Sequence, residues 1–249
     1  NYVVGYEAPP YGVKETKVDR APLRKQAVEA AKEADVVFFI GGLNKNGNQD
    51  CEGDDRRSYH LPYEQDQLIE ELVTVNPNVV VVIISGNAVA MPWVNKVPAV
   101  LEAWYGGTEG GNALASILFG DVNPSGKLPF TFPVSLQDVG AHQLGEYPGT
   151  PRNDGSNLVD EKYNESIFVG YRWADKQKTR PLFSFGHGLS YTTFEYVSWT
   201  NVPVQTVVYQ LEENDAAYTL PIPKEVLEYN TGMKNNERGV RPVVETINY

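Results

Sequence analysis

The chain has 249 residues, 41% hydrophobic and 21% charged, which is apolar material enough for a packed core in one large domain or two small ones. Its formal net charge of -11 argues against nucleic acid and against anionic membrane surfaces, both of which reward clustered Lys and Arg. An uncharged, hydroxyl-rich ligand fits that balance better, and fifteen Tyr with four Trp supply amphipathic rings that suit sugar faces and ordinary cores alike.

Leu23 to Ala34 carries helix formers and leads through Asp35 into Val36-Val37-Phe38-Phe39-Ile40, which reads as a strand buried on both faces. The stretch from Gly41 to Arg57 that follows is polar, broken by glycine and rich in carboxylates. Loops of this length inside compact domains are functional or disordered. One that leaves a buried strand of an α/β sheet opens at the carboxyl end, where such sheets bind their ligands. Glu52 stands beside Gly53, so the backbone can turn sharply there and carry the carboxylate away from the sheet, as the mounting of a general acid requires. From spacing alone a second reading stands beside this one: Asp50, Glu52, Asp54 and Asp55 as solvated loop charges, with Arg56 and Arg57 as surface partners of small energetic value.

After this loop, Leu61-Pro62 opens a helix with Leu68, Ile69, Leu72 and Val73 on one face, and Asn76-Pro77 stops it. Val79 to Ile84 is a second continuous apolar strand and Val97 to Ala103 a third. Asn112 to Phe119 is a helix entered through Gly106-Gly107-Thr108-Glu109-Gly110-Gly111. That turn lacks the spacing of a dinucleotide fingerprint and has no Lys-Ser/Thr pair for phosphates, so close packing of the helix on the sheet is the expected reason for its glycines. Alternating buried strands and helices predict an α/β fold, a mostly parallel sheet flanked by helices as a three-layer sandwich. From Gly120 onward turn chemistry takes over, and the prolines between Asn123 and Pro133 confine that segment to an edge strand or a loop. Ser135 to Glu161 has no period and reads as a long loop. Ile167 to Trp173 and Leu189 to Tyr196 are aromatic and β-favouring.

The single cysteine, Cys51, excludes an internal disulfide, and no His lies beside it in sequence to activate it as a nucleophile. His60, His142 and His187 are too scattered for a metal-ligand pattern, so neither a metal nor another cofactor is expected. No apolar run is long enough to span a membrane. Asn164-Glu165-Ser166 matches a glycosylation acceptor, a pattern common by chance.

Taken together the segments resemble the C-terminal α/β sandwich domain of glycoside hydrolase family 3, the group of many β-glucosidases and β-xylosidases. Glu52-Gly53-Asp54-Asp55-Arg56 with Leu61-Pro62 and Gln65 resembles the family's Glu-Gly-x-Asp-Arg loop and the helix behind it. Further likenesses lie at Ser85 to Trp93, Ala103 to Gly107, Asn123 to Pro129, Phe168 to Arg172 and Phe183 to Thr192. By that resemblance residues 1–196 form a partial α/β sandwich domain, and 197–249 a C-terminal tail of unknown fold, too short for a fibronectin-type sandwich.

The resemblance implies an exo-acting retaining β-glycosidase with Glu52 as its general acid/base. From the residues themselves, Asp55 and Arg56 are expected to pair with each other or with the loop backbone and so hold Glu52 in place, and Tyr105, near a strand end, is expected to face the substrate cleft. Retaining chemistry pairs two carboxyl groups, one attacking the anomeric carbon, the other protonating the leaving oxygen and then activating water. The acid must keep its proton near neutral pH, through partial burial or the nucleophile's charge. In the family the nucleophilic Asp lies on a preceding barrel, which nothing in this chain matches, and the first strands of the sandwich domain are missing as well. The chain, which begins at Asn1 without a Met, is therefore expected to be a subunit or fragment that depends on a second polypeptide or an N-terminal barrel domain. The alternative from another class is a non-catalytic carbohydrate-binding or scaffold module. By class the enzyme is expected in the periplasm or outside the cell.

Overall fold

The structure, a computed structural model, describes residues 1–13, 18–54 and 56–193, together with the backbone of 204–210, 228–229 and 241–247. It divides into two compact units, Asn1–Thr192 and Thr193–Tyr249.

The first unit is built on three parallel strands in the order β1-β2-β3: β1 Val37–Gly42, β2 Val79–Ile84 and β3 Ala99–Glu102. Val37 pairs with Val79 and Val80 with Ala99, so β2 lies in the middle. Helix α1, Ala21–Lys32, begins with Pro22 in its first turn, where a missing N–H costs nothing. Helix α2, Gln65–Val75, lays Leu68, Ile69 and Leu72 on the sheet, in one cluster with Phe39, Val79, Val81 and Ile83. Its start is later than Leu61-Pro62 because Tyr63 and Glu64 adopt left-handed backbone (φ 61° and 59°), which no helix propagates. Its end falls at the predicted place. The Asn76 side-chain amide donates to the Ala31 and Ala34 carbonyls (2.9 and 2.7 Å), tying the end of α2 to the end of α1. Helix α3, Gly110–Leu118, follows β3. Its neighbour Phe119 meets Phe38 edge-on at 5.9 Å, on the sheet face opposite Phe39.

The architecture is the expected α/β arrangement, but burial is uneven. Strand β2 is enclosed, with Val79, Val81, Val82 and Ile83 all fully buried. Strand β1 was expected to be buried on both faces and is not: Val36, Phe38 and Ile40 are 46%, 37% and 48% exposed, alternating with buried Phe39 and Gly41. The reason is position. Strand β1 is the edge of the described sheet, and no described element covers its second face beyond the single ring of Phe119.

The glycines before α3 also have a different reason from the expected one. A Cβ on Gly106 would meet the Gly110 Cα at 2.8 Å, and Gly107 has φ +69°, so these two serve a tight turn folded on itself. Gly110 and Gly111 face open space. Beyond Gly120 the segment 128–132 runs beside 182–187, with Leu128 N–H donating to His187 O and Phe132 N–H to Phe183 O (both 2.8 Å). The 135–161 stretch holds short elements where a plain loop was expected: α4, Gly140–Gln143, and the two-residue strands β4, Thr150–Pro151, and β5, Val159–Asp160. Tyr171 to Trp173, β-favouring by composition, opens a helix, α5, Tyr171–Gln177, whose Trp173 is buried. Position overrides propensity there.

Among the described residues, the second unit holds three antiparallel strands, β6 Val204–Gln210, β7 Glu228–Tyr229 and β8 Arg241–Ile247, in the order β6-β8-β7. The strands were not legible in the tail's sequence.

Candidate functional site

All three strands deliver their following loops to the same end of the sheet, and the acidic loop after β1 is held there by its own amides. Asn44 N–H donates to Gln49 Oε1 (2.9 Å), Asn46 N–H to Asn44 Oδ1 (2.8 Å), and Asp50 N–H to Asn44 O (3.0 Å). The buried Asn46 amide reaches the Pro9 carbonyl (3.0 Å), and the buried Gln49 amide donates to the Tyr63 hydroxyl. Below the loop, Gln65 is wholly buried and bonds both backbone groups of Gly42, accepting from its N–H at 2.7 Å and donating to its carbonyl at 2.8 Å. A Cβ at Gly42, where φ is +139°, would strike the Ile84 carbonyl. The loop is therefore an ordered structure braced by its own side chains.

At its tip Cys51 and Asp54 form an antiparallel bridge, and the Cys51 thiol lies 3.2 Å from the Asp54 carbonyl. Asp54 Oδ2 accepts the Asn48 N–H at 2.9 Å. The two residues between, Glu52 and Gly53, make the turn, with Gly53 at φ +77°, a left-handed conformation that glycine adopts without steric cost. Glu52 is exposed and makes no hydrogen bond or ion pair with the described residues. Its carboxylate is thus presented outward from a closed turn.

Arg56 reaches across to the segment after β2: Nη2 donates to the Ala88 carbonyl at 2.6 Å, and the guanidinium lies 5.9 Å from the Tyr59 ring centre. Its other terminal nitrogen, Nη1, is buried without a partner among the described residues. Tyr59 in turn donates to the Pro133 carbonyl (2.8 Å) and its own carbonyl accepts the Ala90 N–H (2.8 Å). Arg56 therefore braces the exit of the loop. Asp55, expected to assist it, lies outside the described residues.

Two carboxylates that the sequence did not single out join the site. Asp50 Oδ2 accepts from Gly86 N–H at 2.6 Å and from the Tyr105 hydroxyl at 2.9 Å. Glu102, at the end of β3, accepts from the Ser85 hydroxyl at 3.1 Å and from Trp104 N–H at 3.3 Å, while its Oε2 is buried without a partner among the described residues. Burial pushes the Glu102 carboxyl up to about 7, a rise that the Asp50 charge adds to and the bonds from Trp104 and Ser85 oppose. Burial and then its bond to Asp50 push the Tyr105 phenol upward, which keeps its proton in place as a donor. A signal for Glu102 existed in the sequence, a lone carboxylate inside an otherwise apolar strand. Asp50 had none that set it apart from Asp54.

The neighbouring aromatic residues have structural places. Trp93 is fully buried with its indole N–H on Asp66 Oδ1 at 2.7 Å, and Trp104 packs on Phe130 and Phe132. His187 stacks on Phe183 at 5.0 Å within a turn. No cluster of three or more metal-ligating side chains occurs among the described residues, and no described helix is long and apolar enough to cross a membrane.

Residues 6–191 match the family model of the glycosyl hydrolase family 3 C-terminal domain. The chain belongs to glycosyl hydrolase family 3. This family 3 chain is 53% identical over 203 residues to the β-glucosidase BoGH3A of Bacteroides ovatus, covering 78% of the chain and 26% of that protein. It is 44% identical over 218 residues to a probable β-glucosidase I of Aspergillus flavus, covering 87% and 24%. Among solved structures it is similar to the β-glucosidase of Kluyveromyces marxianus in complex with glucose, with a TM-score of 0.63 at 40% identity over 73% of the chain and 21% of that protein. The β-glucosidase 3B of Thermotoga neapolitana in complex with α-D-glucose gives a TM-score of 0.62 at 31% identity, covering 82% and 27%. The family 3 chain thus spans about a quarter of the length of the relatives it matches.

Proposed function

We propose that this chain supplies the acid/base half of a retaining, exo-acting β-glucosidase-type active site. Glu52 protonates the leaving glycosidic oxygen and then deprotonates the attacking water, and the nucleophilic Asp is carried by a barrel outside the given sequence, on a second polypeptide or an N-terminal domain. The observation that carries the reading is the Glu52 turn itself. A carboxylate with no hydrogen-bond or ion-pair partner among the described residues stands outward on a turn closed by the Cys51–Asp54 bridge, at the carboxyl end of a parallel sheet. A carboxylate so placed can approach a substrate held against a second domain, and membership of a family whose matched relatives are named β-glucosidases supports that use. The substrate on this reading is a terminal β-linked sugar, with no cofactor required, and the enzyme acts in the periplasm or outside the cell.

The test is made on the enzyme that contains both this sequence and the barrel. Glu52→Ala should lower kcat/KM on phenyl β-glucoside by roughly 100-fold or more, as loss of a general acid does. It should leave kcat/KM on 2,4-dinitrophenyl β-glucoside, whose leaving group needs no proton, within about 3-fold of the parent, on the same account of acid catalysis. Its kcat on that substrate should fall, because water that attacks the glycosyl-enzyme is no longer activated, and azide should restore it and give a β-glucosyl azide. Unchanged turnover of phenyl β-glucoside would refute the assignment. Tight binding of cellobiose by this chain alone would favour the carbohydrate-binding module instead.

A further inference from the structure

The loop that carries Glu52 is fastened to the other two strand ends at one atom. Asp50, two residues before Glu52, uses Oδ2 to accept the backbone N–H of Gly86, just after β2, and the hydroxyl of Tyr105, just after β3. The loop after β1 is thereby tied to both neighbouring loops through a single carboxylate oxygen. The fit is close: a Cβ on Gly86 would lie 3.2 Å from both Asp50 Oδ2 and the Tyr105 ring. The frame that holds the two donors is itself cross-linked, since the buried Ser85 hydroxyl donates to Glu102 at 3.1 Å and joins the end of β2 to the end of β3. Other bonds brace the loop at its base, through Asn44, Asn46 and Gln49, and at its exit, through Arg56. Near the tip, Asp50 is, among the described residues, the one that joins the loop to the segments after both β2 and β3.

We propose that Asp50 is a positioning residue of the acid/base, and that Gly86 N–H and the Tyr105 hydroxyl form the clasp through which it sets where Glu52 stands. The proposal rests on the reading of Glu52 given above. Proton transfer to a leaving oxygen needs the carboxyl oxygen within hydrogen-bond reach, and a displacement of about 1 Å costs on the order of 100-fold. Releasing the clasp lets the turn drift without removing the acid. Tyr105, expected from the sequence to face the sugar, has its hydroxyl engaged by Asp50 and serves as one jaw of the clasp.

The chemistry separates this role from a structural one. A misplaced acid impairs substrates in proportion to the proton their leaving group needs, whereas loss of folded protein lowers all substrates together. In the assembled enzyme, Asp50→Ala should lower kcat/KM on phenyl β-glucoside by about 10- to 100-fold and on 2,4-dinitrophenyl β-glucoside by less than about 3-fold. Asp50→Asn keeps an acceptor oxygen for both donors and should recover most of the loss. If Asp50 were itself the acid, Asn would be as inactive as Ala, and the proposal would be overturned. It would equally be overturned if Asp50→Ala lowered both substrates alike or neither. Should Asp50→Ala fail to fold, Tyr105→Phe decides, since it removes one donor and keeps the ring. A loss of about 3- to 10-fold confined to phenyl β-glucoside is expected there, and an unchanged leaving-group dependence overturns the proposal. Glu52→Ala run alongside separates the two levels. If it lacks the leaving-group dependence, the acid/base reading fails and takes this proposal with it. If it shows the dependence and the Asp50 variants do not, only the clasp is wrong.

Discussion

Strands β1 and β2 carry nearly the same apolar vocabulary, Val-Phe-Phe-Ile against Val-Val-Val-Val-Ile-Ile, yet they live in different environments. In β2 both faces are closed, while β1 hides Phe39 under α2 and leaves Phe38 and Ile40 half in solvent. The difference teaches that a run of hydrophobic residues reports how much apolar surface must be covered, and its place in the sheet decides what covers it. Their loops differ in the same sense. After β2 comes a tight turn through Ser85 and Gly86, and after β1 a long braced loop that leans on it through Asp50.

The largest effect should come from opening the enclosed strand. Ile83→Ala removes a fully buried side chain between two paired neighbours and should cost about 3 to 4 kcal/mol in urea unfolding. A cost near that of a surface substitution would show that β2 is not the centre of the core.

The next effect lies where the strands end. Glu102 in the folded chain is pushed up to about 7 from 4.5, so between those values the folded state holds more proton than the unfolded one. Stability conferred by the neutral carboxyl is therefore present at low pH and declines as pH rises through that window, by about 3 kcal/mol. Glu102→Gln should remove this decline, seen as the difference between parent and variant in unfolding free energy at pH 5 and pH 8. Equal slopes in the two proteins would place Glu102 in water.

The smallest effect on stability is expected at the open strand. Phe38→Ala should cost under about 1 kcal/mol, because its side chain is already part-hydrated. Its effect on association should be larger. An edge strand with exposed Phe38 and Ile40 invites pairing with another chain, and light scattering of this chain should show concentration-dependent self-association that Phe38→Lys with Ile40→Lys weakens. A chain that stays monomeric with both residues in place would show that this edge is already satisfied.

Much of the fold was legible because its signals are local. Val79–Ile84 was read with its observed bounds, since six consecutive β-branched residues between Asn78 and Ser85 allow nothing else. The stop of α2 at Asn76 was equally plain. What failed were readings that depend on neighbours: Tyr171 to Trp173 forms a helix, the glycines before α3 serve their own turn, and the 135–161 stretch holds short elements with no period to announce them.

At the candidate site the division is sharper. Order along the chain was enough to place an acidic, glycine-hinged turn after the first strand with Glu52 on it beside Gly53, and its motifs were enough for a resemblance to the family 3 domains, because these are local properties of the sequence. Tertiary structure alone decided that Asp50 and not Asp54 meets Gly86 and Tyr105, that Arg56 reaches Ala88, and that Glu102 holds Ser85. Those partners lie 36, 55, 32 and 17 residues apart, and only the parallel pairing of β1, β2 and β3 brings their ends to one side, where a carboxylate's burial and its donors are set by residues far away in sequence.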